Sequence, residues 1–136
     1  MKESKKFGSS NTGKAISVRV LLVDDETAIQ KVVAKFLSRK GFVVTLAGDG
    51  REALAAFIEE TFDIVLTDFN MPVMDGLSLA ARIKKRSPDT PIILMTANER
   101  EYVLKEIKGW VFYSVMFKPF TMQDLQSNIH GALACT

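Results

Sequence analysis

The sequence predicts an α/β domain, a parallel sheet with helices packed on both faces. Three observations carry that prediction. Short runs rich in Val, Ile and Leu recur along the chain, each separated from the next by room for one helix. The separating segments place apolar residues at helical spacing. The runs themselves are apolar almost throughout, which marks strands buried on both faces.

Each element follows from local chemistry. VRVLLV, Val18 to Val23, is the first strand. Ile29, Val32, Val33, Phe36 and Leu37 then recur at the spacing of a core-facing helix, and Gly41 stands where a left-handed C-cap belongs. FVVTLA, Phe42 to Ala47, is the second strand, and Asp49 with Glu52 offers a cap for a helix carrying Ala53, Leu54, Phe57 and Ile58. DIVLT, Asp63 to Thr67, is the third strand and leads into Asp68. After the loop FNMPVMDG a helix runs from about Leu77 to Arg86 through Leu79, Ala80 and Ile83, and Ser87-Pro88 stops it. PIILMT, Pro91 to Thr96, is the fourth strand; Asn98 with Glu101 is the expected cap of a fourth helix bearing Val103 and Ile107. VFYSVMF, Val111 to Phe117, is the fifth strand. Thr121 caps the last helix, whose stripe is Met122, Leu125, Ile129, Ala132 and Leu133.

Composition narrows the function classes. At 136 residues, 47% hydrophobic and 25% charged, the chain suits one domain with a core of its own and is not a disordered chain. Cys135 has no second cysteine to pair with, and one Cys with His130 cannot build a zinc site. The start lacks the apolar stretch of a secretory signal, and the apolar runs are too short to span a bilayer, so a cytoplasmic location is expected. The formal charge of +2 is concentrated: residues 1–17 hold four lysines against Glu3, a net +3, leaving −1 for the rest. Residues 1–17 read as a flexible basic tail rather than a nucleic-acid contact, and 18–136 as the domain.

In open parallel α/β sheets the ligand site lies beyond the carboxyl ends of the strands. Those ends carry Asp24, Asp25 and Glu26, then Asp68, Thr96 and Lys118. Taken singly, each has a bland reading: an Asp after a strand caps or turns, a Lys is a surface charge, a Thr is a turn hydroxyl. Their coincidence on one rim argues otherwise. Clustered carboxylates need protons or a cation between them, and Mg²⁺ prefers such hard oxygens. An Asp can also act as a nucleophile toward phosphorus, with a Lys and a hydroxyl holding phosphoryl oxygens.

The blocks VLLVDDE (Val20 to Glu26), DIVLTDFNMPVMDG (Asp63 to Gly76), PIILMTA (Pro91 to Ala97) and FKPF (Phe117 to Phe120) resemble the response regulator receiver domain of two-component signalling, over residues 18 to 134 or so. The resemblance implies a flavodoxin-like (βα)5 fold with strand order 2-1-3-4-5, of the stand-alone, chemotaxis-regulator-like kind. It implies that Asp68 accepts a phosphoryl group from a histidine kinase or phosphotransfer protein. Asp25, Asp68 and the backbone carbonyl of Asn70 would ligate Mg²⁺ or Mn²⁺, with Asp24 acting through a metal-bound water. Thr96 and Lys118 would bind phosphoryl oxygens, and Pro119 would follow a cis peptide bond. Asn70 and Asn98 would tune the phosphoryl lifetime. Output would pass through protein contacts on the face of helix four, strand five and helix five, with a homodimer among the options and neither nucleic acid nor membrane bound directly.

Two features depart from the family pattern. Val115 stands where the family usually has Tyr or Phe as a switch, and Val111 and Phe112 replace the usual Gly-Ala. Tyr113 and Phe117 lie two residues either side of Val115, hence on the same face of a strand. Trp110, Phe112 and Tyr113 are read as core packing, with an aromatic docking surface as the sharper alternative. His130 is read as a surface histidine, Cys135 as a free thiol, and Met71 and Met74 as packing the rim loop. Two rival functions are carried: a receiver-fold module that signals without phosphorylation, motivated by Val115, and a Mg²⁺-dependent aspartyl-nucleophile phosphohydrolase. No second Asp stands two residues after Asp68 to support the latter.

Overall fold

A computed structural model describes residues 5–7, 17–107 and 112–135. Its elements in chain order are β1 (Lys5–Phe7), β2 (Arg19–Val23), α1 (Thr27–Arg39), β3 (Val43–Ala47), α2 (Gly50–Glu59), β4 (Ile64–Asp68), α3 (Gly76–Arg86), β5 (Ile92–Thr96), α4 (Arg100–Glu106), β6 (Ser114–Phe117) and α5 (Met122–Ala134). The five expected strands are β2 to β6, and they pair in parallel in the order β3-β2-β4-β5-β6, the order the sequence implied.

The structure adds an element the sequence did not suggest. β1 lies antiparallel along β3, with Lys6 opposite Thr45, so part of the expected tail forms a sixth strand at the sheet edge. Three residues carry no periodicity to read. Their pairing is made by backbone groups and covers what would otherwise be an open edge. The rest of residues 1–16 lies outside the description.

Side chains divide the sheet into its two faces. Val20, Leu22, Val44, Leu66, Ile93 and Met95 pack under α1 and α5 with Leu37, Leu125 and Ile129. Leu21, Val23, Val65 and Ile92 pack under α2 and α3 with Ala53, Phe57, Leu79 and Ile83. Burying one such Leu or Ile contributes roughly 1.5–3 kcal/mol. Alternation along each strand feeds both layers, which is why the runs read as continuously apolar.

One helical stripe is displaced from the expected one. Ile29 is 37% and Val32 60% exposed, whereas Gln30 is only 7% exposed and aligns with Val33, Ala34 and Leu37 as the buried side of α1. A buried amide is tolerated there because Gln30 Nε2 donates to the Ala47 carbonyl at 2.8 Å. On α2, Ile58 is likewise exposed rather than part of the core.

The caps follow the sequence except at α4. Gly41 has φ +98°, its N–H donates to Ser38 and that of Phe42 to Leu37, closing α1 in a Schellman motif. Asp49 accepts from the Glu52 N–H, and Glu52 reaches back to the N–H of Gly48. Asp75 caps α3, which begins at Gly76, and Thr121 caps α5. For α4 the N-cap is Glu99, with no side-chain hydrogen bond, and not Asn98. Asn98 is held in the preceding turn, its N–H donating to Thr96 Oγ1 at 3.0 Å.

Candidate functional site

The chain runs from β2 outward to β3 and then crosses back to β4 on the other side of β2, so the carboxyl ends of β2 and β4 flank the point where strand order reverses. The ladders extend just past the strands there. Asp24 N–H donates to Ala47, Phe69 N–H to Met95 and Lys118 N–H to Thr96. These backbone bonds fix the chain at the positions from which Asp24, Asp68 and Lys118 reach one another.

Asp24, Asp25 and Asp68 bring carboxylate oxygens within 4.8 Å of one another. Asp24 is 1% and Asp68 8% exposed, while Asp25 opens to solvent. Lys118 Nζ sits 3.4 Å from Asp68 Oδ1, 3.5 Å from Asp24 Oδ2 and 4.0 Å from Glu26 Oε1. Asp24 Oδ1 accepts from the Glu26 N–H, and Asp68 Oδ1 from the Phe69 N–H. Burial pushes the Asp68 carboxyl from its ordinary 3.8 up to about 6; the Lys118 charge opposes this and the Asp24 charge reinforces it. Among the described residues four carboxylates thus gather around one ammonium, an excess of negative charge that a divalent cation would reduce. The donors are hard oxygens, so the set fits Mg²⁺.

Other sequence-flagged residues surround this cluster. Thr96 is buried at the end of β5, and its hydroxyl is engaged by Asn98. Asn70 is exposed in the loop directly after Phe69. The Lys118–Pro119 bond is cis, as expected. Met71 is buried and Met74 half-buried, in keeping with loop packing. Val115 is half-buried against Leu94 and Val103, beside Phe117. Tyr113 does not share that face: it precedes β6, and its hydroxyl lies 2.5 Å from where a Cβ on Gly131 would stand. Phe112 is core-packed, Tyr113 is exposed, and Trp110 and Val111 lie outside the described residues. His130 is exposed with its ring tilted against Phe42, and Cys135 is an exposed free thiol.

Two positions of the site were not singled out from sequence. Gly76 lies so close to the end of β4 that a Cβ would stand 2.3 Å from the Asp68 carbonyl oxygen. Only glycine fits there. The signal was the Gly closing the block MDG, which looks from sequence like an ordinary turn residue. Val73 holds φ +73° while 75% exposed, a left-handed backbone that disfavours β-branched residues and that periodicity cannot reveal.

A family model described as the response regulator receiver domain matches residues 20–130. The transcription factor SKN7 of Chaetomium thermophilum is 38% identical over 118 residues, covering 85% of this chain and 15% of that protein. The transcriptional regulatory protein TrcR of Mycobacterium tuberculosis is 35% identical, covering 85% of this chain and 45% of its own. This chain therefore spans less than half the length of either. Among solved structures, the chemotaxis response regulator CheY4 of Vibrio cholerae superposes with a TM-score of 0.80 at 32% identity, covering 87% of this chain and all of that one. The response regulator TrrA of Thermotoga maritima, in complex with Mg²⁺-BeF, gives 0.79 at 31% identity, covering 85% and 99%.

Proposed function

This chain belongs to the response regulator receiver domain family, a family of signalling switches, and we propose that it is switched by a phosphoryl group placed on Asp68. The donor would be a histidine kinase or a phosphotransfer protein. The observation that carries the reading is the placement of a buried Asp68 between Lys118, at 3.4 Å, and the carboxylates of Asp24 and Asp25.

Asp24, Asp25, Asp68 and the Asn70 carbonyl would hold Mg²⁺, for which Mn²⁺ can substitute. When bound, the ion supplies positive charge against the carboxylates and the transferring phosphoryl oxygens. An Asp68 carboxylate oxygen forms the new O–P bond as the donor's P–N bond breaks, the leaving imidazole keeping the electron pair and taking a proton. Lys118, already paired with Asp68, is placed to hold a phosphoryl oxygen, and Thr96 donates its hydroxyl to another. The work is positioning and charge neutralisation. Asn70 and Asn98 can hold a water but deprotonate it poorly, and through that water they would tune the lifetime of the acyl phosphate. Turnover is limited to self-phosphorylation from small donors and self-dephosphorylation.

Output would pass to a downstream protein, or to a second copy, through the face of α4, β6 and α5. The curated relatives above are named as transcription regulators, and this chain matches 15% and 45% of their lengths. Among the described residues no helix is long and apolar enough to cross a membrane, and the switch would act in the cytoplasm. Val115 favours one second reading, a receiver-fold module whose partner affinity does not depend on phosphate.

Intact mass after incubation with acetyl phosphate, with and without Mg²⁺, tests the chemistry. We expect a Mg²⁺-dependent gain of one phosphoryl group in the wild type and none in Asp68→Asn. A folded wild type that gains nothing from acetyl phosphate or from a phosphorylated histidine donor would overturn the proposal.

A further inference from the structure

The α2–α3 side of the sheet carries a groove that phosphorylation at the rim does not use. It is lined by Leu54 and Ile58 of α2 and by Ala81, Arg82, Lys85 and Arg86 of α3. Ile58 is 52% exposed and Leu54 half-buried, so one wall is an apolar row left open on a helix surface. The other wall is cationic: four of the five residues 82–86 are Lys or Arg, although residues 18–136 sum to −1. We propose that this groove is a docking site for an acidic amphipathic helix of a partner protein. No groove residue belongs to the carboxylate cluster, so the site is independent of the chemistry at Asp68.

Local needs account for only one of those cations. Lys84 Nζ donates to the carbonyls of Pro88 and Thr90, at 3.2 and 2.6 Å, and so ties down the end of α3. Among the described residues the side chains of Arg82, Lys85 and Arg86 make no hydrogen bond or ion pair, and all three are exposed. A cation in the last turn gains from the helix dipole, which serves Lys85 and Arg86 but not Arg82 a turn earlier, nor the apolar row opposite. α2 and α3 are successive crossover helices of a parallel sheet, so they run in one direction and their rows lie side by side. Leu54 and Ile58 are one turn apart on α2, as Arg82 and Arg86 are on α3, with Lys85 between. A helix laid along the groove sets an apolar row over Leu54 and Ile58 and a row of Glu or Asp over the cations. A nucleic acid would pair with the cations but leave the apolar row in water. A bilayer calls for apolar side chains that project beyond the cations, whereas Leu54 is half-buried. An acidic helix satisfies both rows, the charges fixing its orientation and the apolar side chains supplying burial.

The test uses the full chain and three fluorescent peptides of about 18 residues, some five helical turns, on one Ala-rich frame. One carries a Leu row beside a Glu row, the second has Lys in place of Glu, and the third keeps Glu but replaces Leu with Ser. Anisotropy gives the affinities, and backbone amide shifts by NMR locate the contact. The Leu–Glu peptide should bind and move the amides of residues 54–58 and 81–86, with the other two weaker by about tenfold or more. Arg82→Glu with Lys85→Glu, both at exposed positions, should reverse the preference in favour of the Leu–Lys peptide. Ile58→Ser should weaken the Leu–Glu peptide several-fold with the circular dichroism spectrum unchanged. No shift of those amides at about 1 mM peptide, or equal binding of the Leu–Glu and Leu–Lys peptides, overturns the proposal. So does tighter binding, through the same residues, to phosphatidylcholine–phosphatidylglycerol vesicles or to duplex DNA, which would assign the cations to a membrane or a nucleic acid. No arm depends on phosphoryl transfer, so failure here leaves the role of Asp68 standing.

Discussion

The carboxyl rim of the sheet and its α4–β6 edge are joined through Thr96, yet they are built differently. At the rim, Asp24, Asp68 and Lys118 are set by backbone ladder bonds, with Lys118 Nζ 3.5 Å from Asp24 and 3.4 Å from Asp68. At the edge, Arg100 of a short helix meets the ring of Phe117 on a strand, and both residues are half-buried or exposed. A hydrogen-bonded charge cluster loses function with small displacements, because electrostatic terms fall steeply once solvent enters. Packed rings tolerate sliding, and that tolerance is what a moving element needs. The rim holds its geometry through hydrogen bonds and charge, the edge through ring contacts.

The largest effect that would break this contrast is expected at Gly76. Gly76→Ala sets a Cβ 2.3 Å from the Asp68 carbonyl oxygen, a backbone atom that cannot rotate away. We expect about 3 kcal/mol of destabilisation and a Tm lowered by roughly 10 °C in thermal melts. Gly41→Ala is the control: its added Cβ meets nothing within 4 Å, so only the strain of φ +98° remains, about 1 kcal/mol. Equal losses at the two positions would show that the rim is less rigid than its geometry indicates.

A smaller effect comes from charge. The Asp68 carboxyl titrates at about 6 in the folded chain against 3.8 ordinarily, so between those values the folded state binds more protons than the unfolded one. Stability in this term is therefore fullest below about pH 4 and is lost as pH rises through about 6. Asp68→Asn removes the cost of the buried charge. Without divalent cation it should match the wild type near pH 4 and exceed it by about 1–2 kcal/mol above pH 7, reduced from the full linkage value because solvent reaches part of the site. Denaturant melts across that range decide it. A difference independent of pH would remove Asp68 as its source.

The smallest effect sharpens the other side of the comparison. Arg100→Ala removes a cation held on a ring at an exposed position and should cost no more than about 0.5–1 kcal/mol in denaturant melts. A loss several times larger would make this contact part of the fixed frame, and the edge would then resemble the rim.

Sequence alone determined a good deal of this protein. Strand runs such as Val20 to Val23 and Ile92 to Thr96 are legible because burial on both faces excludes polar residues from them. Asp24, Asp25, Asp68, Thr96 and Lys118 are legible because strand ends in a parallel sheet converge on one rim, so residue type and position suffice. Capping at Asp49 and Thr121 is local, made within three residues.

Tertiary structure decided whatever depends on a partner distant in the chain. Gln30 rather than Ile29 is buried because the Ala47 carbonyl happens to meet it. β1 forms because β3 offers backbone groups at an open edge. Asn98 leaves the cap of α4 because the Thr96 hydroxyl takes its N–H. Gly76 is required by an oxygen eight residues earlier, and Phe117 meets Arg100 seventeen residues earlier. Periodicity and motif record which groups a segment must bury or present. Which distant group it then meets is set only when the layers close on one another.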